Sequence, residues 1–575
     1  MKISKIIISL ISLAIIVTMF GCGEKEEVQL GHEDMGEFAP PDAFLEGEKH
    51  PFYGSENEWN RRFFTEHIKN YYKRRGQRQM LDLVEGRVED TEKYCRELLA
   101  KNPDDLESMF NLAAALAIQG KLDEAIEVVN KSLEYGLPFT RHLAGPRNIL
   151  KPLTESDQFK SIASSYDLQV LHGPMVGKVT DHGASFWVRT LNEDEIQVIA
   201  STDEKMTNII KSNTVKSSKD VDYTAIADMV NLEPDTQYFY QVLVNGKVER
   251  TVGTQSFRTY PKEGKSSEFV VAFGGCAGYV PWHERIWDVI KSYRPLAFLW
   301  MGDNVYINVP ENPNGVHYYT YYRRQSRPEF KRLVSSTSNY AVWDDHDSAT
   351  DDDWLGPYVD KPSWKMPLLK NFEENWINPR YGTKEYPATW HSFKIGEVEF
   401  FMLDGRTYRT NPFMEDPTML GPVQKAWLLE GLGKSTATFK VIASGVPWAY
   451  DAKIGAKDTW NGFHKERTEI FDFLADNHIN GVVLLSADRH RTDIRKIERP
   501  NGYTLYDFEN SKLTNQHTVE LVPGAIYAYN AKPMFGTLTF DTKIDDPVVR
   551  YDIYSIDNEK LHTMELSLSQ LSDKD

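Results

Sequence analysis

The spacing of apolar and polar residues changes along the chain and predicts three folded regions. From 59 to 165, apolar residues recur at helical spacing. From 166 to 260 they alternate with polar residues, as in "QYFYQVLVNGKV", which predicts half-buried strands with a hairpin turn at Asn245-Gly246. From 261 to 575, short apolar stretches such as "EFVVAFGGC" and "GVVLLSADRH" alternate with helical ones. Such strands are buried on both faces, so the sequence predicts a mixed α/β fold in this last region.

The first two folded regions resemble common modules. Two helices meet at Gly120 in "NPDDLESMFNLAAALAIQGKLDEAIEVVNKSLEYG", which resembles one tetratricopeptide helix pair. One repeat cannot bury its own apolar face, so the helical region either packs on the rest of the protein or binds a protein partner. The stretch "LEPDTQYFYQVLVNG" resembles the tyrosine-corner strand of a fibronectin-III-like β-sandwich, which predicts a packing module without chemistry of its own.

The N-terminus has the pattern of a targeting segment followed by a tether. Residues 1–22 begin with basic residues, continue with an apolar stretch that is short for a membrane-spanning helix, and end in Gly21-Cys22. This pattern resembles a bacterial lipoprotein signal in which Cys22 is lipidated. A cleaved secretory signal and an uncleaved anchor are the alternatives. Residues 23–58 are polar and dotted with prolines, as in a tether. We expect an exported lipoprotein of the outer membrane, on its periplasmic or its cell-surface face.

Charge and cysteine content narrow the choice of partners. The net charge of −18 argues against nucleic acid, because proteins that bind its phosphates are usually basic. Besides Cys22, the chain contains Cys95 in a helical pattern and Cys276 between glycines. Cys95 is expected to fill a core. A disulfide between Cys95 and Cys276 is the alternative, although it would join two different regions.

Chemically reactive side chains follow six apolar strands of the last region, at the points where these strands end. In α/β folds, the loops at the carboxyl ends of strands form the functional site. This rule gathers at one edge Cys276, Asp303, Asn304, Asp344, Asp345, His346, Asp404, Arg406, Asp488 and His490. Six such strand ends would be an unusual accident in a purely structural sheet. We therefore predict an active site at this edge.

The side chains at these turns suit metal ions. Carboxylates and imidazole bind Fe, Zn, Mn or Ca, and a thiolate from Cys276 would favour Fe or Zn. Tyr306 follows Asp303 by three residues, so both could face one ion, and a tyrosinate ligand favours ferric iron. Two ions could share Asp303 as a bridge and clamp a phosphoryl group. A metal site would also explain the crowded carboxylates of "WDDHD", because buried like charges need a cation.

Several motifs, in order, make residues 170 to 570 resemble a known family. They are Gly275-Cys276, "GDNVY" (302–306), "WDDHD" (343–347), "LDGRTYR" (403–409), "GPVQKAWL" (421–428) and "SADRH" (486–490). Together they resemble the alkaline phosphatase D (PhoD-like) family of metallophosphoesterases. The resemblance implies a four-layer αββα domain similar to purple acid phosphatases. It also implies Fe, as Fe³⁺, together with Ca²⁺, with Zn or Mn as alternatives.

The resemblance assigns roles to individual residues. The implied metal ligands are Cys276, Asp303, Tyr306, Asp344, Asp345, Asp488 and His490. His346 lies where a general acid could protonate the leaving group, and Arg406 where a guanidinium could hold the phosphate. Asn304, Arg409 and Arg489 are the further substrate-binding candidates. The implied nucleophile is a metal-bound hydroxide.

Two stretches leave alternatives open. After "WDDHD" the chain departs from the family pattern with "SATDDDW", in which Asp351, Asp352 and Asp353 either hold a further Ca²⁺ or form an exposed acidic loop. The stretch "YYTYYRRQSR" either lines a substrate cleft, with Arg323 or Arg324 binding anions, or is a helix that packs its tyrosines on the core.

The implied function is the hydrolysis of phosphate monoesters or diesters, in a small molecule or a polymer. A first alternative keeps the scaffold and changes the ester, giving a sulfatase or a phospholipase D-like diesterase. A second is a non-catalytic lipoprotein that binds a partner through its helical region. That reading would require missing ligands, and the main ones are present in the sequence.

Overall fold

The computed structural model describes residues 72–310 and 315–573. The predicted signal segment 1–22, its lipidation site Cys22, the tether 23–58 and the first part of the helical region lie outside these ranges. Within the two described ranges, no helix is both long and apolar enough to cross a membrane.

Residues 72–163 form the helical region. A 3₁₀ turn at Tyr72–Arg74 precedes α1 Gln77–Val84, α2 Val88–Leu99, α3 Leu106–Ile118, α4 Leu122–Glu134, α5 Thr140–Ala144, α6 Arg147–Thr154 and α7 Asp157–Ala163. Helices α3 and α4 are the pair predicted from the sequence, and Gly120 between them has the left-handed φ of 75° that favours glycine after a helix. The alanine-rich α3 is buried on nearly all sides, so it forms the centre of this region.

The helical region packs on the C-terminal region through buried polar contacts as well as apolar ones. The guanidinium of Arg141 donates two hydrogen bonds, of 2.9 and 2.8 Å, to the carboxylate of Glu107. The hydroxyl of Tyr319, on a helix of the C-terminal region, donates to the same carboxylate. Gln77 Nε2 donates to the carbonyl oxygen of Tyr306 over 2.5 Å. Of the two alternatives for the helical region, packing on the rest of the protein is the one observed here.

Replacing Arg141 by methionine is expected to lower the free energy of unfolding by about 3–5 kcal/mol, because it leaves the buried Glu107 carboxylate without its cation. Arg96→Met is the matched control. Arg96 is half exposed and pairs with Glu92 and Glu124 at the surface, so we expect a loss of no more than about 1 kcal/mol. Urea unfolding of both variants measures the difference. Equal losses would contradict the importance of the buried pair.

Residues 170–258 form two small antiparallel sheets. Their strands are β1 Val170–Gly177, β2 Gly183–Thr190, β3 Glu195–Ser201, β4 Ile210–Lys211, β5 Val215–Lys216, β6 Thr224–Val230, β7 Gln237–Val244, β8 Lys247–Val248 and β9 Gln255–Arg258, with a 3₁₀ turn at Lys219–Val221. The orders are β1-β2-β6 and β4-β3-β7-β8, with β5 beside β3 and β9 beside β7. Phe186 from the first sheet contacts Tyr240 and Phe257 from the second, so the two sheets share a core.

Residues 268–571 form a mixed α/β region, as predicted. Its strands are β10 Glu268–Gly274, β11 Ala297–Met301, β12 Ser338–Val342, β13 His391–Ile395, β14 Val398–Met402, β15 Phe439–Ala443, β16 Val482–Ser486, β17 Thr492–Ile497, β18 Leu505–Asn510, β19 Tyr527–Tyr529, β20 Met534–Asp541, β21 Val548–Ser555 and β22 Lys560–Ser567. Its helices are α8 Ile286–Ser292, α9 Gly315–Gln325, α10 Pro328–Val334, α11 Asp345–Ser348, α12 Lys365–Glu373, α13 Gly421–Lys434 and α14 His464–Asp476, with 3₁₀ turns at Tyr450–Ala452 and Leu568–Leu571.

These strands form two larger sheets, in the orders β12-β11-β10-β20-β21-β22 and β13-β14-β15-β16-β18-β17-β19. Val271 and Leu299 of the first sheet lie in one apolar cluster with Phe400 and Val441 of the second. Helices α8, α10 and α12 cover the other face of the first sheet, and α13 and α14 that of the second. Both faces of the central strands are therefore buried, as their uniformly apolar sequences require.

The parallel strands of both sheets end at a common edge. Strands β10, β11 and β12 run parallel, as do β14, β15, β16 and β18. A bridge between Gly275 and Ser511 joins the edge of the first sheet to that of the second. A Cβ atom at Gly275 would lie 2.7 Å from the Cβ of Ala487, so only glycine allows the two strand ends to approach this closely.

Candidate metal centre

The turns at this edge have an unusual backbone conformation. Cys276, Asp303, Asp488 and His490 all have positive φ, at 57°, 53°, 79° and 52°. Non-glycine residues in this region cost about 1–3 kcal/mol each and concentrate at functional sites. Three of the four, Cys276, Asp303 and His490, bring their side chains together at this edge.

Cys276, Asp303 and His490 form a first group of ligand atoms. One atom from each lies within 4.8 Å of the others, and all three residues are buried. The thiol of Cys276 is 3.5 Å from Asp303 Oδ2, and the hydroxyl of Tyr306 donates to the same oxygen over 2.7 Å. Asn515, which the sequence pattern did not reveal, donates from Nδ2 to the Tyr306 hydroxyl over 2.7 Å. Four of the predicted ligands thus converge on one place.

Asp303, Asp345 and His346 form a second group, also within 4.8 Å, so Asp303 belongs to both groups. The ring of His346 is fixed on one side by a 2.7 Å hydrogen bond between its Nδ1 and Asn308 Oδ1. Its other nitrogen, Nε2, lies 3.5 Å from Asp351 Oδ1, at the open side of the site. His346 is therefore placed either to bind an ion or to deliver a proton.

The electrostatics of the two groups fit metal ions. Burial, Asp345 and Asp344 raise the pKa of Asp303 well above its ordinary value. Burial and Asp303 likewise raise the pKa of the Cys276 thiol. A cation between these groups would favour their ionised forms. Nδ1 of the buried His490 has no hydrogen-bond partner among the described residues, and an unsatisfied buried nitrogen beside a thiol and a carboxylate suits a metal ligand.

The aspartates after "WDDHD" do not follow either alternative as a set. Asp345, Asp351 and Asp352 form a third group of ligand atoms within 4.8 Å. The side chain of Asp351 is 61% exposed, as an acidic loop would be. Asp353 is buried and accepts hydrogen bonds from the Ser348 hydroxyl at 3.2 and 3.0 Å, so it belongs to neither the group nor a surface loop.

Asp344 and Arg406 are buried and form an ion pair with each other. The sequence had instead predicted Asp344 as a metal ligand and Arg406 as a residue that holds the phosphate. The Arg406 guanidinium donates through Nε to Asp344 and through Nη1 to the carbonyl of Asp353, the latter over 3.0 Å. Its Nη2 lies 4.0 Å from Asp345 Oδ2. Asp344 belongs to none of the three ligand groups among the described residues. Arg406 thus braces the aspartate turn, because its Nε and Nη1 are both committed to protein acceptors.

The other predicted site residues lie around this centre. Asn304 donates from Nδ2 to the Val342 carbonyl over 2.8 Å, so it ties the "GDNVY" turn to β12. Arg409 is buried and donates to the Gly405 carbonyl over 2.6 Å. Arg489 pairs with the Asp488 carboxylate at 3.3 Å and keeps 14% of its side chain exposed. Of the two arginines among the three substrate-binding candidates, Arg489 has the more accessible side chain.

Two open alternatives are decided by the structure. Cys95 and Cys276 are both free thiols, with Cys95 in the core of the helical region and Cys276 in the metal centre. The tyrosine-rich stretch is the packed helix α9. Its Arg324 pairs with the buried Glu284 at 3.1 Å, and its Arg323 donates to backbone carbonyls of the helical region, so both guanidinium groups are engaged with protein acceptors.

Lys73 reaches the candidate metal centre from the helical region, and Arg74 is the next residue along the chain. They are only 6% and 2% exposed. Nζ of Lys73 lies 3.7 Å from the centre of the Tyr306 ring. Burial and Arg74 lower the pKa of Lys73 to about 7 against the opposing effect of Asp303, and burial lowers the pKa of Arg74 to about 10 against that of Asp351. In the sequence, "YYKRRG" resembles an ordinary solvated basic run, which is why the pattern did not single it out.

Comparison with known proteins finds one curated relative and two solved structures with a similar architecture. Alkaline phosphatase D of Bacillus subtilis (strain 168) is 21% identical over 335 residues, which are 50% of this chain and 57% of the relative. The match therefore spans less than two thirds of that relative. A solved structure described as "Structure of PhoD" superposes with a TM-score of 0.55 at 15% identity, covering 69% of this chain and 92% of the other. Purple acid phosphatase PPD1 from yellow lupin (Lupinus luteus) superposes with a TM-score of 0.50 at 12% identity, covering 69% and 75%.

The two larger sheets and their helical covers have the fold of these two solved phosphatase structures. The model of the PhoD-like phosphatase matches residues 270–552, and that of the PhoD-like phosphatase N-terminal domain matches residues 156–261. The chain therefore belongs to the PhoD-like phosphatase family. A tetratricopeptide repeat model also matches residues 94–127, within the helical region.

Proposed function

We propose that this protein is a metal-dependent hydrolase of phosphate esters. The observation that carries the proposal is the shared position of Asp303 in two buried ligand groups at the joint edge of two sheets. A carboxylate between two such groups suits a pair of ions a few ångströms apart. Membership of the PhoD-like family supports the same reaction class. The alkaline phosphatase activity named for the Bacillus relative is proposed for this chain on that basis.

We assign the donors to particular metals by their chemistry. Cys276, Asp303, Tyr306 and His490 would hold Fe³⁺, because thiolate, tyrosinate and imidazole suit iron. Asp345, with Asp351 and Asp352, would hold Ca²⁺ through oxygen ligands. Zn or Mn are the alternatives. When bound, the ions would polarise the phosphoryl oxygens and lower the pKa of a coordinated water.

The chain's own residues would position and protonate the substrate. His346 is held through Nδ1 by Asn308 and turns Nε2 to the open side, where it can donate a proton to the leaving alkoxide. Arg489 would contact phosphate oxygens. Arg406 acts instead as a positioning residue, because it holds the Asp344–Asp345 turn against the shared ligand. Asp344 and Asp488 would support the site from beside the ligand groups.

The proposal includes the finer organisation of the molecule. The common core of the two larger sheets and their helical covers support a four-layer αββα domain at 261–575. The paired small sheets support a fibronectin-III-like sandwich at 166–260. The Gly21-Cys22 pair supports export as a lipoprotein anchored to the outer membrane by its N-terminal lipid.

Turnover of p-nitrophenyl phosphate and bis(p-nitrophenyl) phosphate, with metal content measured on the same sample, tests the function. We expect hydrolysis of at least one ester, with stoichiometric iron. A p-nitrophenyl sulfate control separates a sulfatase from a phosphatase. A metal-loaded protein that cleaves neither phosphate ester would overturn the proposal.

A further inference from the structure

We propose that Lys73 and Arg74 form a cationic wall of the metal centre that binds the substrate phosphate and selects dianionic phosphate monoesters over monoanionic diesters. This inference rests on the function proposed above and names the substrate class of that site. Both residues precede the segments that match the PhoD-like models, the first of which begins at residue 156. The wall is therefore supplied by the helical region and is additional to the part of the chain that the family models match.

The backbone around the pair is fixed to the rest of the protein. Arg323 donates from Nη1 to the carbonyl of Arg75 over 3.0 Å, and from Nη2 to the carbonyl of Lys73. The Tyr72 amide donates to Gln516 Oε1 over 2.8 Å. These bonds hold the 3₁₀ turn from both sides. The backbone that carries the two side chains is thus fixed by contacts with α9 and with the loop after β18.

The surrounding residues leave a slot for the Lys73 side chain. A Cβ atom at Gly278 would lie 3.0 Å from Lys73 Cδ, so glycine at this position makes room for the aliphatic stem. The ammonium group then lies over the Tyr306 ring, with Nζ 3.7 Å from its centre. The Tyr306 hydroxyl in turn donates to Asp303, the carboxylate common to both ligand groups. The positive charge is therefore one aromatic ring away from the predicted metals.

Charge balance indicates what the wall binds. The Lys73 ammonium lies over the Tyr306 ring, and the Tyr306 hydroxyl donates to Asp303, so the positive charge lies close to the carboxylates of the ligand groups. Metal ions would compete for the same carboxylates, and cations buried beside other cations are unfavourable unless an anion lies between them. Substrate phosphate is such an anion. At neutral pH a monoester carries close to two negative charges and a diester only one, so the wall attracts the monoester more strongly.

The test uses the full metal-loaded chain and the double variant Lys73→Met/Arg74→Met. Calorimetric titration with inorganic phosphate should show an affinity at least about tenfold weaker than that of the unmodified protein, from the loss of two charges near the anion. The kcat/KM for p-nitrophenyl phosphate should fall at least about tenfold more than that for bis(p-nitrophenyl) phosphate. The charge-retaining variant Lys73→Arg/Arg74→Lys should recover most of both losses.

Lys101→Met is the matched control, because Lys101 is an exposed cation of the same helical region. It should leave phosphate affinity and both kcat/KM values unchanged. If the double variant does not fold, the single variants Lys73→Met and Arg74→Met carry the same test with smaller losses.

Opposite outcomes separate this inference from the proposed function. Unchanged phosphate affinity, or equal losses for the two esters, would overturn the selective wall while leaving the hydrolase intact. Tighter phosphate binding or faster turnover in the double variant would show that the pair obstructs the site. Weaker phosphate binding in the double variant, together with an unmodified metal-loaded protein that cleaves neither ester, would retain the wall and refute the hydrolase.

Discussion

Asp303→Asn is expected to strip the protein of its metal ions and to abolish turnover. Asp303 supplies an oxygen to both ligand groups, so its loss weakens the two positions together. Losing even a residue that only supports a ligand costs about 10–100-fold in metal affinity, and a shared ligand should cost at least the upper end of that range. Elemental analysis of the purified variant, alongside kcat for p-nitrophenyl phosphate, measures both effects.

The same variant has a second signature, which a merely structural aspartate would not give. Burial and two neighbouring carboxylates disfavour the charge of Asp303 in the metal-free protein. Neutral asparagine removes that repulsion, so the metal-free variant should unfold at an equal or higher urea concentration than metal-free wild type. Asp416→Asn, at an exposed residue paired with Lys465, is the control and should change neither metal content nor turnover. A variant that keeps its metals and loses only stability would show that Asp303 is not a ligand.

His346→Gln is expected to lower kcat by about 10²–10⁴-fold for an ester with a poor leaving group, as removal of a general acid does. Phenyl phosphate should show the large loss, and p-nitrophenyl phosphate a smaller one, because nitrophenolate leaves without needing a proton. Glutamine preserves a hydrogen-bonding side chain of similar reach but cannot transfer the proton.

Metal content decides between the two roles that the geometry allows His346. As a general acid, its loss should leave the metals in place. If the metals are lost and both esters slow equally, His346 is a ligand of the second group. His478→Gln provides the comparison, because His478 is an exposed histidine far along the chain from these motifs, with 82% of its side chain accessible. That variant should behave like wild type.

Periodicity was enough to predict the regular elements. The α3–α4 pair, the alternating strand β7 and the fully apolar strands β11 and β16 all have the element type that their spacing indicates. This works because each pattern reports which faces of an element are buried, and burial is decided locally by the hydrophobic effect.

The site was partly predictable for a related reason. Parallel strands of one sheet end at one edge, so the positions of Cys276, Asp303, Asp345 and His490 after their strands indicated that they would meet. Arg406 shows where this rule stops. A strand-end position says that a side chain is near the site, but it does not say whether the guanidinium faces substrate or, as here, a neighbouring carboxylate.

The sequence by itself therefore determined the element types, the order of the strands along the chain and the kinds of ligand at their ends. Only the tertiary structure decided which ligand-type side chains lie within 4.8 Å of one another, that Arg406 binds Asp344, and that Lys73 lies beside Tyr306. The physical reason is that contacts between residues hundreds of positions apart depend on how whole layers pack. No local sequence pattern encodes that packing. The basic run "YYKRRG", for example, would be equally stable if it were exposed to solvent.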